Sequence, residues 1–332
     1  MVTERQAWLN LTLEDPIDRD LPICDPHHHF MDRPGSRYLP EELLQDIEGH
    51  NIIKTVFIEC GAAYREQGPE EMKPVGETEF VQSISAKSAA GQYGKTDIAA
   101  GIVSFAKLTL GKAVEPVLDA HVSAGKGYLK GIRVVTVWDA SPEISVRRKT
   151  PRGLLLDSKF REGFACLSKY GLSFDAGVYF HQLMEVVDLA RAFPDVPIID
   201  DHTGGLVHIG PYAGKRQEVM EEWKRGITAL AACPNVFIKL GGLGMPVCGF
   251  GWHEQAKPPD SVELAKVISP YFLWCIEQFG TDRCMFESNF PPDKSSYSST
   301  VMWNAFKRIC EGFSVTEREA LFYDTAARVY RL

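Results

Sequence analysis

No two of the eight cysteines stand as a Cys-x-x-Cys pair. Scattered as Cys24, Cys60, Cys166, Cys233, Cys248, Cys275, Cys284 and Cys310, they read as reduced core residues of a cytoplasmic protein. No stretch approaches the roughly 18 apolar residues that a membrane span needs, so no membrane partner is expected. There is no Lys/Arg cluster suited to a phosphate backbone, and the net charge is −8 with acidic residues spread along the chain. Nucleic acid is therefore not expected as a partner either. The opening Met1-Val2-Thr3-Glu4-Arg5 is charged and lacks the apolar core of a secretion signal. What remains is an ordinary globular composition, 45% hydrophobic and 24% charged over 332 residues. That length suits one large domain or two small ones.

The chain reads as strand and helix in regular alternation. Ile52–Cys60 is an almost continuous β-branched apolar run, the pattern of a strand buried on both faces. Seven further strands are expected over Leu21–His29, Ile98–Phe105, Lys130–Trp138, Leu172–Phe180, Val196–Asp201, Val236–Leu240 and Arg283–Ser288. Helical spacing lies between and after them, for example over Glu77–Gln92, Gln217–Ala232 and Val262–Phe279. Eight crossover units with no linker predict a single (β/α)8 TIM barrel domain over 1–332, with residues 1–20 as an N-terminal extension and helices closing the C-terminus. An open doubly wound sheet would show a Gly-rich turn after strand one. Here strand one ends in Asp25-Pro26-His27-His28-His29 instead.

In such a barrel the catalytic groups come from the C-terminal ends of the strands. Alternation along strand one puts Asp25, His27 and His29 on one face. Strand two ends at Glu59, strand five runs out at His181, and strand six at His202. Strand eight supplies Glu287 and Asn289. A lone histidine at a strand end is more often a satisfied polar group than a ligand. Six such groups at one end of five strands point to a shared metal site of His27, His29, Glu59, His181, His202 and Glu287. Two arrangements are open: two metals bridged by Glu59, or one metal on His27, His29 and a distal histidine. Zinc is the first expectation, and iron or manganese, as two ions, the alternative. Arg133 and Lys239 could clamp a substrate carboxylate, Tyr179 could line the pocket, and Trp252 and His253 could belong to a lid. Asp200 or Asp201 would orient His202. His50 and His121 are expected to be solvated near helix ends.

These residues carry a family likeness. Asp25-Pro26-His27-His28-His29, His181-Gln182-Leu183, Asp201-His202-Thr203-Gly204 and Ser288-Asn289-Phe290-Pro291 resemble, in order, the motifs of the amidohydrolase superfamily. The similarity is to the amidohydrolase-2 branch that includes 2-pyrone-4,6-dicarboxylate lactonase and fuconolactonase. The resemblance implies a (β/α)8 barrel, usually a divalent metal at its mouth, and hydrolysis of a lactone, amide or related bond. Some lactonases of the branch act without metal. Where the family usually has an Asp that binds metal and handles the proton, this chain has Asn289. Asn is no base near neutral pH. Hydrolysis would then call on Glu287 or Asp293. The alternative is O2 chemistry, as in the dinuclear non-haem iron hydroxylases on the same barrel. The expectation is a metal-dependent hydrolase of a small carboxylated molecule, with homo-oligomerisation left open.

Overall fold

Why these segments form strands is plain at Ile52–Ile58: Val56, Phe57 and Ile58 are all buried, so neither face can be polar. The computed structural model describes residues 3–33, 36–144 and 150–332. The long loop expected to run to about Leu156 includes residues 145–149, which lie outside the described residues. Eight strands form one sheet in chain order: β1 Ile23–His28, β2 Ile52–Ile58, β3 Asp97–Ser104, β4 Leu129–Val135, β5 Ser173–Gly177, β6 Ile198–Asp200, β7 Val236–Leu240 and β8 Cys284–Phe286. Every neighbouring pair is parallel. Just beyond β8, the Asn289 N–H donates to the His27 carbonyl and the His29 N–H to the Phe290 carbonyl, each at 2.9 Å. These two bonds tie the last strand to the first. The barrel is thus nearly closed, as the alternation predicted.

The differences from expectation have local causes. β5 was expected to reach Phe180 but ends at Gly177, because Phe180–Gln182 tightens into a 3₁₀ turn. Gln182 holds that turn by accepting from Trp138 N–H at 2.9 Å and donating to the Thr136 carbonyl at 3.0 Å. Met31–Arg33 and Ser36–Tyr38 form a small antiparallel hairpin that sequence patterning missed. The N-terminal extension contains a helix, Glu4–Leu9, capped by the Thr3 hydroxyl. It lies on the loop after β7, where Trp8 Nε1 donates to the Gln255 carbonyl and Thr12 Oγ1 to the Pro258 carbonyl, both at 2.8 Å. His50 and His121 are buried rather than solvated. His121 Nδ1 is bonded to Thr78 Oγ1 at 2.7 Å, and His50 Nδ1 accepts from Lys307 Nζ at 2.8 Å.

The lower barrel interior is apolar. Cys24, Val56, Ile58, Val103, Ile199 and Met285 pack there with Ala326, Val329 and Tyr330 from the C-terminal helix Thr325–Val329 and the residue after it. The floor is therefore filled. Among the described residues no helix is long and apolar enough to cross a membrane.

Candidate active site

The upper barrel gathers titratable groups from seven of the eight strands. His27, after the bend that follows Asp25, points into the barrel and is wholly buried. Its Nδ1 lies 2.8 Å from Glu287 Oε2, 3.2 Å from Lys239 Nζ and 3.6 Å from Asp201 Oδ1. Its Nε2 lies 3.2 Å from an Arg133 guanidinium nitrogen. Arginine cannot accept a hydrogen bond, so Nε2 is the acceptor and Nδ1 carries the proton toward Glu287. Burial, followed by the Lys239 charge, holds the His27 pKa well below its ordinary value, so the ring is neutral.

Glu287 anchors two imidazoles. Its Oε1 accepts from His202 Nδ1 at 2.7 Å and from the His202 backbone N–H at 3.0 Å. Burial opposes the charge on Glu287, but His202 and His27 outweigh it and hold the carboxyl well below the usual carboxylate range. Burial likewise disfavours a charged His202, and Glu287 outweighs it, raising the His202 pKa. The backbone here is forced. His202 and Thr203 have φ of 58° and 55°, and Asn289 a φ of 50°. Such left-handed conformations in non-glycine residues concentrate at functional sites. Gly242, with φ +71°, is needed for the same reason, since a Cβ there would strike the His202 ring.

Two buried cations stand among these groups. Lys239 Nζ is 2.6 Å from Asp175 Oδ2 and 3.0 Å from Asp201 Oδ1. Arg133 pairs with Glu59 Oε1 at 3.3 Å and Asp201 Oδ2 at 3.6 Å, and also donates to the Glu59 carbonyl. Burial works against both cations, and the surrounding carboxylates outweigh it, so both pKa values are raised. Asp201 is held below its ordinary value: burial opposes its charge, and Lys239, His202 and Arg133 prevail.

His29 differs from His27. Its Nδ1 is 2.8 Å from the Ile58 carbonyl, which can only accept. The proton therefore sits on Nδ1, and Nε2 keeps its lone pair. Burial and then Arg133 hold this ring's pKa well below ordinary, so it stays neutral.

The remaining expected residues fall as follows. Asp25 shares the His27 face in sequence but turns to brace β8, accepting the Ser288 N–H at 2.9 Å. His181 stands apart, with Nε2 2.9 Å from the Trp138 carbonyl and its ring stacked against Tyr212. Tyr179 is buried beside it, their ring centres 6.2 Å apart. Trp252 stacks on Phe250 at 4.5 Å, packing the long loop internally rather than facing the mouth as a free lid. Asp293 is fully buried and accepts from Asn289 Nδ2 at 2.7 Å, Gly244 N–H at 2.9 Å and Tyr297 hydroxyl at 2.7 Å. Burial pushes its pKa up to about 6.

Among the described residues, the metal-capable side chains that converge are His27, Asp201 and His202, whose candidate donor atoms lie within 4.8 Å of one another. Two imidazoles and a carboxylate suit one divalent ion, zinc in particular. Both Asp201 oxygens are buried without a hydrogen-bond partner and are held only by ion pairs. A buried carboxylate in that state can take a cation, so Asp201, His27 Nε2 and His202 could hold a metal in exchange for the Arg133 contacts. His29, Glu59, His181 and Glu287 are not in this group. Asp201 was expected only as a support for His202. The missed signal was its place in Asp200-Asp201-His202, directly before a left-handed residue. Asp175 was missed altogether, although a single acid inside the apolar Ser173–Gly177 strand marks a position facing a cation. Glu77 was also missed. It accepts the backbone N–H groups of Cys60 and Ala62, at 3.0 and 2.7 Å, and so fixes the loop that follows Glu59.

Comparison with known proteins gives a consistent picture. The family model described as Amidohydrolase matches residues 24–332. An uncharacterised protein, y4mH, of Sinorhizobium fredii is 32% identical over 94% of this chain and 99% of its own length. An L-fucono-1,5-lactonase of Burkholderia ambifaria is 24% identical over 82% of this chain and 87% of its own, and an L-rhamnono-gamma-lactonase of Scheffersomyces stipitis 24% over 86% of each. The crystal structure of an amidohydrolase from Burkholderia multivorans with bound zinc superposes with a TM-score of 0.70 at 22% identity, covering 93% of this chain and 99% of that one.

Proposed function

This chain belongs to the amidohydrolase family, and from that premise we propose that it is a hydrolase opening the ester bond of a sugar-acid lactone. The observation that carries the proposal is the pair of buried cations, Arg133 and Lys239, set against His27 and Asp201 at the barrel mouth. Opening a lactone passes through a tetrahedral intermediate with a developing oxyanion. Fixed positive charge in a water-poor site is the largest single aid to that step. The names of the two lactonase relatives support the substrate class.

In this reading a divalent metal, zinc first, would be held by His27, Asp201 and His202 and would polarise the carbonyl and the attacking water. The chain's own groups do the rest. Glu287 fixes the tautomer and tilt of His27 and the orientation of His202. His29, whose Nε2 carries no proton of its own, takes a proton from the attacking water. It then returns that proton to the ring oxygen as the C–O bond breaks. Arg133 and Lys239 steady the negative charge first on the carbonyl oxygen, then on the carboxylate product. Arg133 is already engaged by Glu59 and Asp201, which favours this role over clamping a carboxylate carried by the substrate. Asn289 in place of a carboxylate is then no loss, because His29 handles the proton.

The O2-dependent alternative needs a second metal site with Glu59 as its bridge. The pairing of Glu59 with Arg133 supports hydrolysis instead. The test is acid release from a panel of five- and six-membered aldonolactones under strict anaerobiosis. Undiminished turnover is expected. An absolute O2 requirement, or no lactone opened by the metal-replete enzyme, overturns the proposal.

A further inference from the structure

The barrel floor carries one contact that packing does not require. Tyr330 is fully buried in the apolar lower interior, where a phenyl ring would fill the same space. Its hydroxyl nevertheless donates to Asp175 Oδ2 at 2.6 Å. Lys239 Nζ donates to the same oxygen, also at 2.6 Å, while Asp175 Oδ1 has no hydrogen-bond partner. The Lys239 ammonium also lies 5.4 Å from the centre of the Tyr330 ring. On its other side it reaches Asp201 at 3.0 Å and His27 at 3.2 Å. One ammonium is thus drawn downward by Asp175 and upward by the mouth.

Both donors compete for one carboxylate oxygen. The more of that oxygen's electron density the phenol takes, the less strongly Asp175 holds Lys239. Without the hydroxyl, Oδ2 turns wholly to the ammonium, which moves toward the floor and away from Asp201 and His27. We infer that Tyr330 is a positioning residue: acting through Asp175, it sets the height of Lys239 along the barrel axis and hence the charge presented at the mouth. The C-terminal segment thereby helps to complete the site from the opposite end of the barrel. The inference rests on the role proposed above for Lys239.

The test is Tyr330→Phe, which keeps the ring and removes only the hydroxyl. Lysine-selective 15N NMR of the resting, substrate-free protein reads the Lys239 Nζ resonance directly, assigned by its loss in Lys239→Arg. We expect that resonance to move in Tyr330→Phe. With a lactone substrate, kcat should fall about tenfold while KM stays within about twofold, because a charge used in the transition state has moved. An unmoved Lys239 resonance with unchanged kcat overturns the inference, whatever happens to the melting temperature. If Tyr330→Phe does not fold, 3-fluorotyrosine at position 330, a stronger donor, replaces it. The resonance should again move, and an unmoved one overturns the inference. The resonance needs no substrate. A wild-type enzyme that opens no lactone therefore removes the proposed function without deciding the placement of Lys239.

Discussion

His27 Nδ1 and Glu287 Oε2 lie 2.8 Å apart, with neither side chain reached by solvent. Among the described residues, Glu287 is the carboxylate that holds two of the three candidate metal-binding residues at once. It comes from β8 and they come from β1 and β6, so the site is braced across the barrel rather than along it.

Glu287→Gln should therefore act mainly on stability and metal geometry rather than as the loss of a base. An amide offers N–H where His27 needs an acceptor, and leaves a buried donor facing a donor. Removing one partner of a buried ion pair costs about 3–5 kcal/mol. Urea denaturation of the metal-stripped protein should give a loss of that order near pH 6. A loss below about 1 kcal/mol would mean that Glu287 is not the anchor described here.

Metal content separates the converging residues from the others. Asp201→Asn and His27→Ala should each reduce bound zinc from about one equivalent to a small fraction of it. His181→Ala should leave it unchanged, and so should Glu59→Gln, which should instead lower the melting temperature through Arg133. Elemental analysis of the purified proteins decides between these outcomes. Two equivalents of iron or manganese in the wild type, halved by Glu59→Gln, would restore the bridged two-metal arrangement.

Arg133→Lys keeps the charge and loses the planar fork that reaches Glu59, Asp201 and His27 together. Steady-state kinetics should show kcat lower by roughly 10²-fold, the usual effect of losing one donor to a developing oxyanion. A change confined to KM would assign Arg133 to ground-state substrate binding.

Asp293 accepts three hydrogen bonds and has no exposed surface. Asp293→Asn should lower the melting temperature while kcat stays within about threefold. A general base would cost roughly 10²–10⁴-fold. His29→Ala, in contrast, should show a loss of that size in kcat with zinc retained.

Lys307 supplies a pH signature away from the site. Burial lowers its pKa from 10.5 to about 8, against the opposing charge of Asp18. Between those two values the folded protein binds fewer protons than the unfolded chain. Raising the pH through that window therefore favours folding, and the destabilisation is fully present below about 8. The unfolding free energy of the wild type should rise relative to Lys307→Met from pH 8 to 10.5. A flat difference would show that Lys307 titrates normally.

Much of the barrel was legible because its strands are short, apolar and separated by helical periodicity, and because a parallel strand buried on both faces leaves a continuous apolar run. The positions of His27 and His202 at strand ends were legible as well. The partners of Glu59 and Asp293 were not. Glu59 is turned toward Arg133 and Asp293 toward Tyr297, and no local pattern announces which partner a carboxylate will choose. His181 follows β5 as expected, but the 3₁₀ turn beyond Gly177 carries it toward Trp138. Strand ends are predictable from periodicity; the direction taken by the chain after them depends on side-chain bonds such as those of Gln182.

The segment ahead of the barrel is bonded to the far end of the chain. Arg5 donates to the Ser295 carbonyl, Trp8 to that of Gln255, and Lys307 to those of Ile17 and Asp18. Each of these bonds joins residues at least 247 positions apart. Among the described residues, these partners all come from beyond β7. In chain order these partners come last, in the β7 and β8 loops and the helix at Ser299–Ile309. Trp8 meets the loop after β7 while Arg5 and residues 17–18 meet segments after β8, so the N-terminal segment fastens the last third of the chain to the rest.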